Sequence, residues 1–166
     1  MTTVDETYIA IARAHGCREG IARVIIDQAR RWKLPISLAF ALAEQESAFH
    51  NVFGHDPTIC VGWGTVTRAK YLIYKARRRA SGNRRMQGVG VFQLTWWETQ
   101  DLADRRGGCW KTEHNASVAF QTLAALIRDH GYVDGCRRYN GAGPAAVAYS
   151  RELRARATKW HGRFTR

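Results

Sequence analysis

Apolar residues recur at helical spacing along most of this chain, and the alternation typical of strands is scarce. One amphipathic helix, closed by Lys33-Leu34-Pro35, carries its apolar face at Ile21, Val24, Ile25, Ala29 and Trp32. Further helices are predicted from residue 35 onward, over 66–79 with one strongly basic face, over 115–130, and from about 145 to 160. Turn formers over 51–64 and 139–144 predict breaks, the first with at most a small β-hairpin. The expected fold class is mainly α.

The helix after residue 35 carries one carboxylate on an otherwise apolar side. Leu42 lies four residues before Glu46 and Phe49 lies three after it, so the three share a helical face. Loss of water on such a face raises the pKa of a carboxyl group towards the range of a general acid. Glu44, two positions away, is expected to remain in solvent. The alternative is a helix end at which Glu46 is half-exposed and has no chemical role.

Length and composition fit one globular domain over residues 1–166. Hydrophobic residues make up 45% and charged residues 24%, which excludes a disordered chain. No apolar run approaches the length of a membrane span. The segment 1–6 lacks the basic and apolar regions of a secretory signal peptide. We therefore expect a protein made in the cytoplasm, unless it leaves by another route or lacks its leader here.

The charge balance is basic, with 26 Lys and Arg against 14 Asp and Glu and a net charge of +12. Basic surfaces attract polyanions such as nucleic acids or an acidic cell wall, although solubility alone can also account for the charge. Aromatic residues near Arg77-Arg78-Arg79 favour nucleic acid, namely Trp63, Tyr71 and Tyr74. Because the charge is spread along the chain and no recognised binding motif appears, we expect no specific nucleic-acid partner.

The metal-binding residue types do not form a recognisable site. No Cys-x-x-Cys pair occurs among the four cysteines, Cys17, Cys60, Cys109 and Cys136. That spacing argues against structural zinc and leaves open two disulfides or buried free thiols. His50 and His55 lie near Glu46 but lack a clear third ligand. We therefore expect neither a metal nor a cofactor.

Three separated blocks combine small residues with amide or amphipathic side chains. They are Glu46-Ser47-Ala48-Phe49, Gly88-Val89-Gly90-Val91-Phe92-Gln93-Leu94 and Arg138-Tyr139-Asn140-Gly141. Small residues let chain segments approach closely, amides can both donate to and accept from hydroxyl and N-acetyl groups, and aromatic rings cover apolar sugar faces. Each block is weak alone, but together on a helical scaffold they predict a sugar-binding cleft.

The blocks resemble the soluble lytic transglycosylase and goose-type lysozyme family, whose patterns are Glu-Ser-x-Phe, Gly-x-x-Gly-[Leu]-Met-Gln-hydrophobic and Tyr-Asn-x-Gly. Phe92 stands where the family usually has Met, and Tyr149 follows the third block as in many members. The resemblance covers roughly residues 30 to 155 and is strongest to the glycosidase domains of endolysins from phages of actinobacteria. It implies a lysozyme-like α+β fold, mainly helical, with a substrate cleft between helical lobes.

The resemblance also implies an activity, cleavage of the β-1,4 bond between N-acetylmuramic acid and N-acetylglucosamine in peptidoglycan by a monomer. Glu46 would be the catalytic acid/base, and Ser47 would hold it or contact the substrate. Gln93, Tyr139 and Asn140 would line the cleft. By the same resemblance, Phe92 would pack against the sugar. A leaderless phage lysin would be made in the host cytoplasm and reach the wall through a holin lesion.

Glycosidases normally use two carboxylates, whereas a lytic transglycosylase can act with one. Goose-type lysozymes carry an Asp shortly after the Met-Gln block, and the corresponding place here, near Thr95, is not acidic. That departure favours the single-carboxylate mechanism. The alternative is a hydrolase that uses Asp56, whose other expected role is to cap the following turn. Glu98 and Asp101 are weaker candidates, since acidic residues are favoured where a helix begins.

A further departure is a basic insertion at about 64–86 between the first two blocks. It is interpreted as a lid or an anchor for acidic cell-wall polymers near the cleft, or as a merely solvated basic helix. A second reading of the whole chain is a non-catalytic wall-binding module. Such a module would bind purified walls and release no soluble fragments.

Overall fold

The computed structural model describes residues 2–55 and 62–165, and in these ranges the chain is mainly helical, as predicted. The helices are α1 (Thr3–Ala14), α2 (Glu19–Arg31), α3 (Ile36–Ser47), α4 (Arg68–Ala80), α5 (Trp97–Arg105), α6 (Thr112–His130), α7 (Tyr132–Asn140) and α8 (Gly143–Phe164). None of them, within the described ranges, has the length and apolar character needed to cross a membrane.

Extended structure is confined, in the described ranges, to two isolated antiparallel bridges. One joins Val52 to Thr65 and the other joins Phe53 to Val89. They bring the loop after α3 against the glycine block that precedes α5, with Gly54 N donating to Gly88 O at 2.7 Å. The expected small hairpin is therefore reduced to single pairings, one of which fastens the loop after α3 to the glycine block.

Helix α3 is the centre of the molecule. Every residue from Leu38 to Ala43 is fully buried, so the helix is covered on all sides and not on one face, as its spacing had suggested. It packs mainly against α8 and also against α2. The two ends of α3 are partly exposed, and the last turn, from Glu44 to Ser47, carries Glu46.

The end of α3 is fixed by two consecutive residues in left-handed backbone geometry. Ala48 has φ 49° and Phe49 has φ 66°, a conformation that costs a non-glycine residue about 1 kcal/mol or more. Phe49 is buried and contacts the rings of Phe40 and Trp160, at centroid distances of 6.4 and 5.9 Å. This aromatic packing offsets the strain and stops the helix directly after Glu46 and Ser47.

The first helix was not predicted, although the sequence carries its start signal. Thr2 and Asp5 form a capping box, in which the Thr2 hydroxyl accepts from Asp5 N and the Asp5 carboxylate accepts from Thr2 N. Asp5 is buried and also accepts from Arg30 of α2. Hydrogen bonds from Arg30 and Thr2 lower the pKa of Asp5 to about 2. The pair fastens α1 onto α2.

The basic segment at 64–86 is not a freely solvated helix. Arg78 of α4 is fully buried and donates to Asp101 Oδ1 at 2.6 Å and to Gln100 Oε1 at 2.7 Å. Lys75 and the Tyr71 hydroxyl both bind Asp104. Helix α4 is therefore attached to α5 through long side chains.

Of the cysteines, Cys17, Cys109 and Cys136 are buried free thiols, while Cys60 lies outside the described residues.

Replacing Arg78 by Ala should lower the free energy of unfolding by about 3 kcal/mol, because it removes a fully buried guanidinium group together with its hydrogen bonds to the buried Gln100 and to Asp101. The neighbouring Arg77 is exposed, so Arg77→Ala is the matched control and should change stability by less than about 0.5 kcal/mol. Urea unfolding of both variants measures the difference. Equal stability of the two variants would show that α4 is not attached through Arg78.

Candidate active site

One cleft collects residues from all three sequence blocks. Glu46 from the last turn of α3, Gln93 from the glycine loop, and Tyr139 and Asn140 from the end of α7 line its wall. The cleft has a volume of about 160 Å³. Tyr139 and Asn140 lie in the final turn of a helix and not in the loop expected there, and this turn brings both residues to the cleft that Glu46 lines.

Other cleft residues were not predicted from the sequence as site residues. Trp96 is 65% exposed and lines the cleft just before α5 begins. An exposed indole beside amide groups offers a flat apolar surface to a ligand. The signal in the sequence was the Trp96-Trp97 pair directly after the Gln93-Leu94 block. The remaining lining residues are small or apolar: Leu94, Thr95, Thr99, Ala119 and Thr122.

The Glu46 carboxyl group is partly buried and accepts a short hydrogen bond from the Tyr149 hydroxyl of α8. Loss of solvent raises the pKa of Glu46 from its ordinary value of 4.5 to about 7, even though the Tyr149 hydrogen bond acts in the opposite direction. Burial also raises the pKa of Tyr149, so its hydroxyl remains a neutral donor. Near neutral pH, Glu46 is therefore divided between a form that donates a proton and a form that accepts one.

Tyr139 and Tyr149, the two tyrosines near Glu46, pack against each other. The rings of Tyr139 and Tyr149 are stacked, with centroids 6.5 Å apart and planes inclined by 24°. Burial and the nearby Glu46 carboxylate hold the pKa of Tyr139 well above its usual range. Both hydroxyls thus stay protonated beside the carboxyl group, and a second negative charge does not compete with it.

Gln93 is held by backbone oxygens on both sides of the cleft floor. Its Nε2 donates to Gly90 O at 2.7 Å and to Val52 O at 3.1 Å. A Cβ atom on Gly88 would lie 2.3 Å from Gln93 Oε1, and one on Gly54 would lie 2.6 Å from it. A side chain at either position would therefore displace the Gln93 amide from this arrangement, and glycine allows the close chain approach that the sequence block predicted.

A buried asparagine that the sequence did not flag fixes the loop before Gln93. Asn115 of α6 accepts from Phe92 N at 2.9 Å and donates to Val89 O at 2.8 Å. Gly90 has φ 84°, and a Cβ atom there would lie 2.6 Å from the Asn115 side chain. The loop that carries Gln93 is thus anchored on the longest buried stretch of α6.

Two predicted site residues have other surroundings than expected. Phe92 is only 1% exposed and packs edge-to-face on Phe120 at 4.8 Å, so its ring is a core side chain and cannot lie against a sugar. The Ser47 hydroxyl donates to Val91 O at 2.8 Å and accepts from His50 N at 3.1 Å. Ser47 therefore ties the end of α3 to the glycine loop and does not hold the Glu46 carboxyl group.

Among the described residues, Glu46 is the only carboxylate that lines the cleft. Asp101 is bound by Arg78 and contacts Lys75 at 3.5 Å, and Glu98 is exposed at the first turn of α5. Asp56, the candidate for a second catalytic carboxylate, lies outside the described residues. Thr95, the place at which goose-type lysozymes were expected to carry an acid, does line the cleft.

Glu44 is not the solvated carboxylate that its position had suggested. It accepts from Trp160 Nε1 at 3.1 Å and pairs with Arg156 at 3.3 Å, both on α8. This contact anchors the last turn of α3 to α8. The two glutamates of one helical turn thus have separate functions, one in packing and one in the cleft.

A larger concavity of about 730 Å³ lies between the α2–α3 turn and the other side of α6. Its described lining is apolar with a cationic rim and includes no carboxylate. Nor does the described part of the chain bring three His, Cys, Asp or Glu side chains into a metal-binding group.

Comparison with models of protein families, with curated proteins and with solved structures finds no match in any of the three.

The raised pKa of Glu46 predicts a specific pH dependence of stability. A carboxyl group whose pKa rises from 4.5 to about 7 on folding stabilises the fold below about pH 4.5, and this contribution is lost as the pH rises through about 7. The stability of the wild type relative to Glu46→Gln should therefore fall by about 3 kcal/mol between these limits.

Urea unfolding at a series of pH values measures this difference. The exposed Glu152 provides the matched control, since Glu152→Gln removes a carboxyl group without removing a buried one. Its stability should run parallel to that of the wild type at every pH. A parallel course for Glu46→Gln as well would contradict the burial of the Glu46 carboxyl group.

Proposed function

We propose that the protein is a peptidoglycan-degrading muramidase, and that Glu46 acts as its acid/base on the β-1,4 bond between N-acetylmuramic acid and N-acetylglucosamine. The observation that carries the proposal is a carboxyl group with a pKa of about 7 in a cleft that also presents amide, hydroxyl and indole groups. A general acid is most effective when its pKa lies near the working pH. The resemblance of the three sequence blocks supplies the substrate class.

In the proposed reaction, the protonated Glu46 donates its proton to the glycosidic oxygen, and the bond from that oxygen to the anomeric carbon of the muramic residue breaks. The 6-hydroxyl of the same residue attacks the anomeric carbon and gives its proton to the Glu46 carboxylate. The products are a free 4-hydroxyl end and a 1,6-anhydro muramic end, and Glu46 is returned to its acid form. Because the nucleophile belongs to the substrate, no second carboxylate is needed.

The remaining cleft residues would position the sugar. Gln93 and Asn140 present amides that suit the N-acetyl and hydroxyl groups, and Trp96 presents an exposed ring to an apolar sugar face. The Tyr149 hydrogen bond would fix the rotamer of Glu46 and favour its charged form, which the second proton transfer requires. These assignments make Glu46, Gln93, Tyr139 and Asn140 the substrate-facing group, with Trp96 added.

Transglycosylation is preferred over hydrolysis because, among the described cleft residues, a single carboxylate is present. A hydrolytic lysozyme that uses Asp56 as its second carboxylate remains the alternative, and the two reactions leave different product ends. The proposed setting is that of a phage endolysin made in the host cytoplasm, which acts on the wall as a monomer and is attracted to acidic wall polymers by its net charge of +12.

Glu46→Gln should abolish lysis of purified cell walls while the helical fold is retained, because glutamine cannot donate the proton. Glu44→Gln is the matched control on the same helical turn, since Glu44 faces α8 and not the cleft. It should lyse walls at a rate close to that of the wild type. Turbidity loss of wall suspensions measures both rates, and circular dichroism checks the fold.

Mass spectrometry of the soluble fragments identifies the reaction. Anhydro-muramic ends are the expected result, and reducing muramic ends would assign hydrolysis instead. Undiminished lysis by Glu46→Gln would overturn the proposal. Wall binding by the wild type without any released fragment would overturn it too, in favour of a non-catalytic wall-binding module.

A further inference from the structure

Helix α4 has an inward side that accounts for its attachment to the protein. Tyr71, Tyr74 and Arg78 are fully buried and lie within about one sixth of the helix circumference, as their spacing of three and four residues requires. They contact α5 and the glycine block through hydrogen bonds to Asp104, Gln87 and Asp101. The outward side of α4 does not take part in this attachment.

That outward side is apolar, which is the reverse of a normal surface helix. The residues of this apolar stripe are all exposed and recur at helical spacing: Ala69, Leu72, Ile73, Ala76 and Ala80. Leu72 is 48% exposed and Ile73 is 53% exposed, so two large aliphatic side chains lie in solvent next to each other. At about 100° per residue, the centre of the stripe lies opposite the buried side of the helix.

Cationic residues border the apolar stripe on both edges. On the helical wheel, Arg68 and Arg79 lie on one edge and Lys70 and Arg77 on the other. Arg84 and Arg85 lie in the turn that follows the helix and are exposed. The whole segment 64–86 contains no Asp or Glu. The only carboxylates that α4 contacts through ion pairs in the described ranges are Asp101 and Asp104, at its base.

The structure assigns this surface to the headgroup region of an anionic lipid bilayer, into which α4 would insert its apolar stripe while lying parallel to the membrane. Such interfacial helices combine an exposed apolar face with flanking Lys and Arg that meet the lipid phosphates. Long cationic side chains can extend from the edges towards the headgroups while the aliphatic stripe is buried. Trp63, 62% exposed, lies beside the Lys70 edge, since Lys70 Nζ donates to Trp63 O at 3.4 Å.

The composition of the surface favours a bilayer over other occupants. An anionic polysaccharide or nucleic acid would be bound by the cations alone and would leave Leu72 and Ile73 without a function. A second copy of this chain would bring two acid-free basic segments together, which like-charge repulsion opposes. An anionic bilayer satisfies the apolar stripe and both cationic edges together. This inference does not depend on the proposed wall-cleaving activity.

Sedimentation with lipid vesicles tests the inference on the full chain. The protein should bind vesicles of phosphatidylcholine with phosphatidylglycerol and should not bind vesicles of phosphatidylcholine alone, at an ionic strength of about 0.15 M. The double variant Leu72→Gln/Ile73→Gln keeps every charge and should lose roughly tenfold or more in affinity, because the burial of two aliphatic side chains is lost. Val147→Gln, which replaces another exposed aliphatic residue, on α8, should bind as the wild type does.

A second pair of variants tests the contribution of the cationic edges to vesicle binding. Arg77→Gln should weaken vesicle binding, whereas Arg151→Gln, an equal charge change at an exposed position of α8, should not. Failure of the wild type to sediment with anionic vesicles would overturn the inference. Unchanged binding of the Leu72→Gln/Ile73→Gln variant would also overturn it, because the surface would then act by charge alone.

Discussion

The candidate site depends on one balance at the end of the central helix α3, between the loss of water around Glu46 and the hydrogen bond from Tyr149. Burial raises the pKa of the carboxyl group to about 7, and the hydrogen bond limits that rise. Without burial the group would be an ordinary surface carboxylate. Without the hydrogen bond its charged form would be less accessible. The acid/base role that we propose for Glu46 near neutral pH rests on both.

Contacts in the protein core fix the segments that carry Glu46 and the facing side of the cleft. Glu44 fastens α3 to α8 through Trp160, and Phe49 packs in a left-handed conformation that ends the helix at the cleft. On the facing side, Asn115 fixes the glycine loop that presents Gln93. The cleft wall is thus attached to buried elements on both sides. These attachments fix the position of the Glu46 carboxyl group relative to the neighbouring amide side chains.

Much of the fold was readable from the sequence because helical spacing reports directly on burial, as α2, α6 and α8 show. The three blocks likewise identified Glu46, Gln93, Tyr139 and Asn140, which the structure brings to one cleft. Their side-chain surroundings were not readable. An aromatic side chain such as that of Phe92 can face either the core or a ligand. Which of the two it faces depends on contacts with elements distant in sequence, and these contacts cannot be predicted from the spacing of apolar residues. The apolar outer side of α4 was similarly hidden, because its pattern alone fits a helix buried on either face.

The most direct test of the central claim is to titrate the Glu46 carboxyl carbon by NMR with labelled glutamate, using Glu46→Gln to assign the signal. The account predicts a pKa of about 7 in the wild type. It also predicts a higher value in Tyr149→Phe, which lacks the hydroxyl that favours the charged form. A pKa near the ordinary 4.5 in the wild type, or a lower pKa in Tyr149→Phe, would contradict it.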